Sequence, residues 1–90
     1  MAEARGMDVS PHGPFSPVTV AANMQAIAAH PECAILEYAW REVPWRGQLV
    51  IPEEIVVASQ MRLPEGPGLG VRLNMDMVEA QRLGQRLTVE

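Results

Sequence analysis

Ninety residues allow one domain at most, and a chain this short still exposes ~40% of its unfolded surface after folding, so its core is small. An apolar fraction of 48% excludes a disordered chain, and with no run of about 18 apolar residues a transmembrane helix is excluded on length. The formal charge of −4, with all seven basic residues scattered Arg, excludes a phosphate-tracking patch and a basic membrane-surface helix, so neither nucleic acid nor membrane is an expected partner.

Residues 1–6 read as the tail of a helix. Ala2, Glu3, Ala4 and Arg5 are helix formers, and Gly6 is the usual stop. A basic start followed by an apolar core is missing here, so no signal peptide is expected. Met7-Asp8-Val9 then predicts a short strand, extending to about residue 11. The turn Ser10-Pro11-His12-Gly13-Pro14 follows, too rich in Pro and Gly to continue a strand. Ser16 is an N-cap and Pro17 sits at the first helical position, where its missing N–H costs nothing. The helix is predicted over 17–29 and stops before Pro31. Its Ala, Val and Met content leaves little polar surface, so neighbours are expected on more than one side.

Residues 33–38 are apolar except for Glu37, the habit of a parallel strand buried on both faces. Strand, helix, strand with short joints is βαβ organisation. After Tyr38, six positions (Trp40, Pro44, Trp45, Pro52, Pro64 and Pro67) break the chain into short pieces. Leu49-Val50-Ile51, Ile55-Val56-Val57 and Gln60-Met61-Arg62-Leu63 are short strand candidates. Asn74 caps a predicted helix over 75–83, with Gly84 as its stop. Leu87 and Val89 add a few extended residues.

His12 and Glu37 carry the functional reading. A histidine held between a strand end and a helix start stands where α/β enzymes keep their chemistry. Taken alone, His12 could equally be an idle loop histidine, and Glu37 a strand-end carboxylate in solvent. The absence of Lys removes any lysine base or Schiff base. Cys33 stands alone, which rules out a disulfide within the chain and makes a cytoplasmic setting the default. Its apolar neighbours read as those of a buried structural thiol. His30 reads as a helix-end residue, and the spacing of His12, His30 and Cys33 matches no zinc motif. Gly66-Pro67-Gly68-Leu69-Gly70 lacks the Lys-Ser/Thr of a phosphate loop and reads as a tight connection. The methionines read as packing residues, and Trp40 and Trp45 as interface fillers.

Four elements occur in order: Ser10-Pro11-His12-Gly13-Pro14, the Ala-rich helix, Ala34-Ile35-Leu36-Glu37-Tyr38, and Leu63-Pro64-Glu65-Gly66-Pro67-Gly68-Leu69-Gly70-Val71. Together they resemble the C-terminal end of the enolase superfamily, in its mandelate racemase and muconate lactonising branch. They are most similar to acid-sugar dehydratases of the galactonate dehydratase type. The resemblance implies an α/β fold class, the C-terminal fragment of a modified TIM barrel of (β/α)7β type. Residues 1–38 would be the end of the barrel, with its last two strands and one helix. Residues 39–90 would leave it and pack back on a capping domain absent from these residues. Met1 would coincide with an interior methionine of a longer protein.

The implied chemistry is removal of the proton α to a carboxylate, followed by loss of the β-hydroxyl as water. By resemblance His12 takes the place of the base, and Glu37 that of the carboxylate supporting the enediolate by hydrogen bonding. The family uses Mg²⁺, whose ligands fall on strands outside this chain, so no metal ligand and no cofactor of its own is expected. Imidazole suits proton transfer near neutral pH. A base alone cannot remove so weakly acidic a proton without charge stabilisation on the oxyanion. Whether the 90 residues act as an enzyme by themselves is therefore left open. The expectation is an inactive portion of a dehydratase, with an acid-sugar substrate only in a complete barrel. A complementary upstream polypeptide or a homo-oligomer would cover its open edges. The alternative is a non-catalytic remnant or packing subunit.

Overall fold

The computed structural model describes residues 1–30, 33 and 35–84. At the start, Glu3–Arg5 forms one 3-10 turn. Gly6 closes it in the left-handed region, with its N–H donating to the Glu3 carbonyl at 3.0 Å. The main helix, α1, spans Pro17–Ala28. Ser16 caps it: its Oγ accepts from the Thr19 N–H at 3.1 Å, and Pro17 occupies the first turn. A second 3-10 turn, Arg46–Leu49, leads into β1, Val50–Ile51. Then come β2, Val56–Val57, β3, Gln60–Met61, and β4, Arg72–Leu73. The short helix α2, Met75–Gln81, is capped by the Asn74 side chain, which accepts from the Met77 N–H.

The strands form two antiparallel pairs. β1 lies against β4, with Val50 opposite Leu73 and Ile51 opposite Arg72. β2 and β3 make a hairpin, with Val56 opposite Met61 and Val57 opposite Gln60. Its two turn residues, Ala58 and Ser59, have φ of 51° and 60°. That two-residue turn follows the strand twist but puts two Cβ-bearing residues in the left-handed region.

The core is one stripe of α1 set against the Arg46–Leu49 turn and the start of β1. Pro17, Val20, Ala21 and Met24 fall at i, i+3, i+4 and i+7 and are buried, and Val50 closes over them. Gln25 ties the helix to the loop before β4, donating to the Pro64 and Leu69 carbonyls at 3.0 and 3.2 Å. The neighbours expected on the other sides of α1 are not supplied among the described residues: Val18, Ala26, Ala28 and Ala29 are exposed. An apolar composition does not by itself gather neighbours, and the stripe alone finds a partner.

The strands predicted over 7–11 and 33–38 are also corrected, because neither segment forms a hydrogen-bonded strand among the described residues. Pro31, Glu32 and Ala34 lie outside the described residues, as do Leu87 and Val89. The reason is local. Pro11 has no N–H for a ladder, and the Ile35 carbonyl accepts from the Ser10 side chain at 3.1 Å. The two segments still run side by side, joined by side chains in place of backbone bonds. The second helix ends at Gln81 rather than residue 83, since Arg82 has turned to an extended conformation (ψ 147°).

Candidate functional site

His12 and Glu37, 25 positions apart, meet at the join between those two segments. His12 Nδ1 donates to Glu37 Oε2 at 2.7 Å. An ionised carboxylate only accepts, so the proton of this bond sits on Nδ1; in the neutral imidazole Nε2 then carries the lone pair. The same Oε2 accepts from the Gly13 N–H at 3.3 Å. A carboxylate oxygen holding two neighbouring donors fixes the imidazole ring and the turn together. Phe15 meets the imidazole edge-on, 5.3 Å between centroids at 86°. Asn23, on α1, donates to the His12 carbonyl at 3.5 Å.

Gly13 makes this arrangement sterically available. Its φ is 139°, and a Cβ there would lie 3.0 Å from Thr19 Cγ2 and 3.2 Å from Asn23 Nδ2. A side chain at this position would push the turn off the helix start and take its N–H from Glu37. The pair itself faces outward, the His12 side chain 72% exposed and that of Glu37 43%. It is a reachable base with an oriented ring, the geometry of a proton-transfer group.

A second cluster lies behind it. Arg46 and Glu54 pair through Nε and Oε1 at 2.9 Å, with side chains only 6% and 4% exposed. The Tyr38 hydroxyl donates to the same Oε1 at 2.6 Å, and the Arg46 guanidinium lies 5.1 Å from the centre of the Tyr38 ring. Burial raises the Tyr38 pKa above its ordinary value of 10.0, and Glu54 adds to the rise while Arg46 opposes it. The sequence analysis did not find this cluster. Charged residues read as solvated by default, and only Gly47 offered a signal. A Cβ on Gly47 would overlap the Glu54 carbonyl oxygen, so the chain needs glycine there to bring Glu54 inward.

Among the described residues no three His, Cys, Asp or Glu side chains gather as a metal site. A hard divalent cation such as Mg²⁺ asks for about six oxygen ligands in octahedral array. One imidazole and one carboxylate bonded to each other do not fit it. A groove of about 880 Å³ runs between α1 and residues 52–65 and includes neither His12 nor Glu37. Among the described residues no helix is long and apolar enough to cross a membrane.

Comparison with known proteins adds four findings. Residues 1–77 match the family described as enolase C-terminal domain-like. The chain is 35% identical over 80 residues to D-xylonate dehydratase of Haloferax volcanii, covering 89% of this chain and 19% of that one. It is 32% identical over 83 residues to D-gluconate dehydratase of Thermoproteus tenax, covering 91% of this chain and 17% of the relative. It superposes with a TM-score of 0.72 on the crystal structure of an enolase, mandelate racemase subgroup, from Agrobacterium tumefaciens. That match is 27% identical and covers 89% of this chain and 22% of the other. The chain thus spans about a fifth of the length of the relatives it matches.

Proposed function

The chain belongs to the enolase C-terminal domain-like family, as a small α/β part of the (β/α)7β barrel, and from that premise we propose that its His12–Glu37 pair serves an acid-sugar dehydratase. Of the aldonate and aldarate classes, the names of the two curated relatives support an aldonate as substrate. One observation carries the proposal: the 2.7 Å bond from His12 Nδ1 to Glu37 Oε2, with the imidazole open to solvent.

In this reading Nε2 takes the proton α to the substrate carboxylate. Glu37 holds the imidazole by Nδ1 and steadies the positive charge that forms on the ring. Ionised and bonded in this way, Glu37 has no proton to give the enediolate; supporting it by hydrogen bonding, as the resemblance implies, would require Glu37 in its acid form. The β-hydroxyl then leaves as water, taking the proton held on Nε2, and the remaining enol tautomerises to the 2-keto-3-deoxy acid. Mg²⁺ does not fit the pair present here, and no step of this chain's residues passes through it. Charge stabilisation on the enediolate must come from groups beyond the pair. The 90 residues are therefore read as inactive by themselves. Residues 1–38 are the barrel end, and 39–90 the segment that returns to a capping domain. Exposed Phe15 and Ile35, at 72% and 68%, support a cover over the join, from a complementary polypeptide or a second copy.

The test supplies a pool of aldonic and aldaric acids to a complete barrel ending in this sequence, and separately to the 90-residue chain. Formation of a 2-keto-3-deoxy acid is followed as its semicarbazone. Turnover by the complete barrel that disappears in His12→Asn is the expected result. Unchanged turnover in that variant overturns the assignment.

A further inference from the structure

Within these 90 residues, Glu37 stands in a segment with no backbone ladder among the described residues, and side chains on either side of it tie the segment down. Two ties are visible. On one side the Ile35 carbonyl accepts from Ser10 Oγ at 3.1 Å. On the other, Tyr38, the next residue, is held at both its ring and its hydroxyl. The ring lies under the Arg46 guanidinium at 5.1 Å, and the hydroxyl donates to Glu54 Oε1 at 2.6 Å. Arg46 and Glu54 are themselves paired at 2.9 Å and almost fully buried. Glu54 is fixed further by its backbone, whose N–H donates to the Gly47 carbonyl at 3.0 Å.

Glu37 reaches His12 and Gly13, while Tyr38 reaches Arg46 and Glu54, so the two consecutive side chains engage separate partners. A clamp on Tyr38 therefore holds the peptide while leaving Glu37 to its own partners. We propose that Tyr38, Arg46 and Glu54 are positioning residues that set the Glu37 carboxylate against His12 and Gly13. The catalytic meaning of this clamp rests on the dehydratase reading, but its geometry does not. None of the three touches His12, so each acts through Glu37 alone. The buried pair gives the clamp a fixed anchor, since desolvated charges held by short bonds have few alternative arrangements.

Tyr38→Phe tests it in the 90-residue chain, because it removes one hydrogen bond and keeps the ring under Arg46. The readout is amide exchange and the amide proton shift at Gly13, whose N–H donates to Glu37 Oε2. In Tyr38→Phe, Gly13 exchange is expected to quicken roughly five- to tenfold, about the worth of one hydrogen bond. Its proton resonance moves upfield, while exchange at Val20 and Met24 in α1 stays unchanged. Glu37→Ala supplies the fully released value for Gly13. Equal exchange in wild type and Tyr38→Phe overturns the proposal. So does equal quickening of Gly13 and α1, which marks a merely structural role. So does a wild-type Gly13 that already exchanges as in Glu37→Ala. Because the readout is a backbone amide and not turnover, failure of the dehydratase reading would leave this result standing, and the reverse.

Discussion

Arg46 and Glu54, eight positions apart, form an ion pair at 2.9 Å with 6% and 4% of their side chains exposed. They meet through one atom each, and Arg46 Nη2 and Glu54 Oε2 are buried with no hydrogen-bond partner among the described residues. Such a pair contributes little net stability against an apolar replacement, yet it is costly to halve. Glu54→Ala leaves the buried guanidinium only the exposed Glu42 carboxylate, 3.9 Å from Nη1, and is expected to cost up to ~3–5 kcal/mol. That is a large part of the ~5–15 kcal/mol typical of a whole domain. Arg46→Met combined with Glu54→Leu should cost less than Glu54→Ala alone. Urea midpoints at constant m-value measure both, and a double variant weaker than the single one would contradict the pairing.

The same cluster predicts an alkaline transition. Tyr38 is the one tyrosine in the chain, so tyrosinate absorbance near 295 nm reports it alone. Burial first, and then the Glu54 carboxylate, raise its folded pKa above 10.0. A raised acid favours its neutral form in the folded state. Its contribution is fully present below the unfolded pKa of about 10 and is lost as pH rises through the folded value. The titration midpoint should lie above 10, and Glu54→Gln should lower it. A midpoint at or below 10 in the wild-type chain would remove the burial argument.

Much of the local structure was legible because it depends on residues close together. Ser16 with Pro17, and Asn74 before Met75, announced both helix starts correctly. Gly6 announced the end of the first turn. The strand candidates at Leu49–Ile51, Ile55–Val57 and Gln60–Leu63 all contain strands. Pairing was less legible. β1 lies against β4 across the whole hairpin and the Pro-Gly loop, a contact that no local pattern encodes. The segments around His12 and Glu37 carry strand-like composition, but a ladder needs N–H groups in register, and Pro11 has none. Both candidate site residues could be named from the sequence. Their 2.7 Å bond, and the Tyr38 clamp behind Glu37, depend on contacts between distant segments and had to be seen.

The hairpin turn offers a stabilising change. Ala58 and Ser59 sit at φ 51° and 60°, where a Cβ costs roughly 1 kcal/mol or more per residue. Ser59→Gly relieves that cost, offset by the greater freedom glycine gains in the unfolded chain. The net expectation is a gain of about 0.5–1 kcal/mol. Ser59→Val, with a branched Cβ in the same place, should lose stability. A urea midpoint that falls for Ser59→Gly would show that the turn is not strained.

Magnesium titration separates the chain from the site it is proposed to complete. No cluster of three ligating side chains exists among the described residues. Calorimetry of the 90-residue chain with Mg²⁺ should show no stoichiometric heat. Saturable one-to-one binding would overturn the view that the metal ligands lie outside this chain.

His12 and Glu37 should fail in different ways when each is changed in a complete barrel ending in this sequence. His12→Asn keeps a polar group of similar reach but has no site that accepts a proton at neutral pH. Exchange of the substrate α-hydrogen with solvent deuterium should vanish, while substrate binding is nearly kept. Glu37→Gln still offers an oxygen to the Nδ1–H and to the Gly13 N–H, so the ring keeps its orientation. What it loses is the negative charge beside the imidazolium. A missing electrostatic contact of this kind typically slows the chemical step ~10²–10³-fold. The exchange rate in Glu37→Gln should therefore lie between wild type and His12→Asn. Full exchange in His12→Asn would end the assignment of the base. Equal, complete loss in both variants would mean that the charge on Glu37 is as indispensable as the base, a stronger role than ring orientation alone provides.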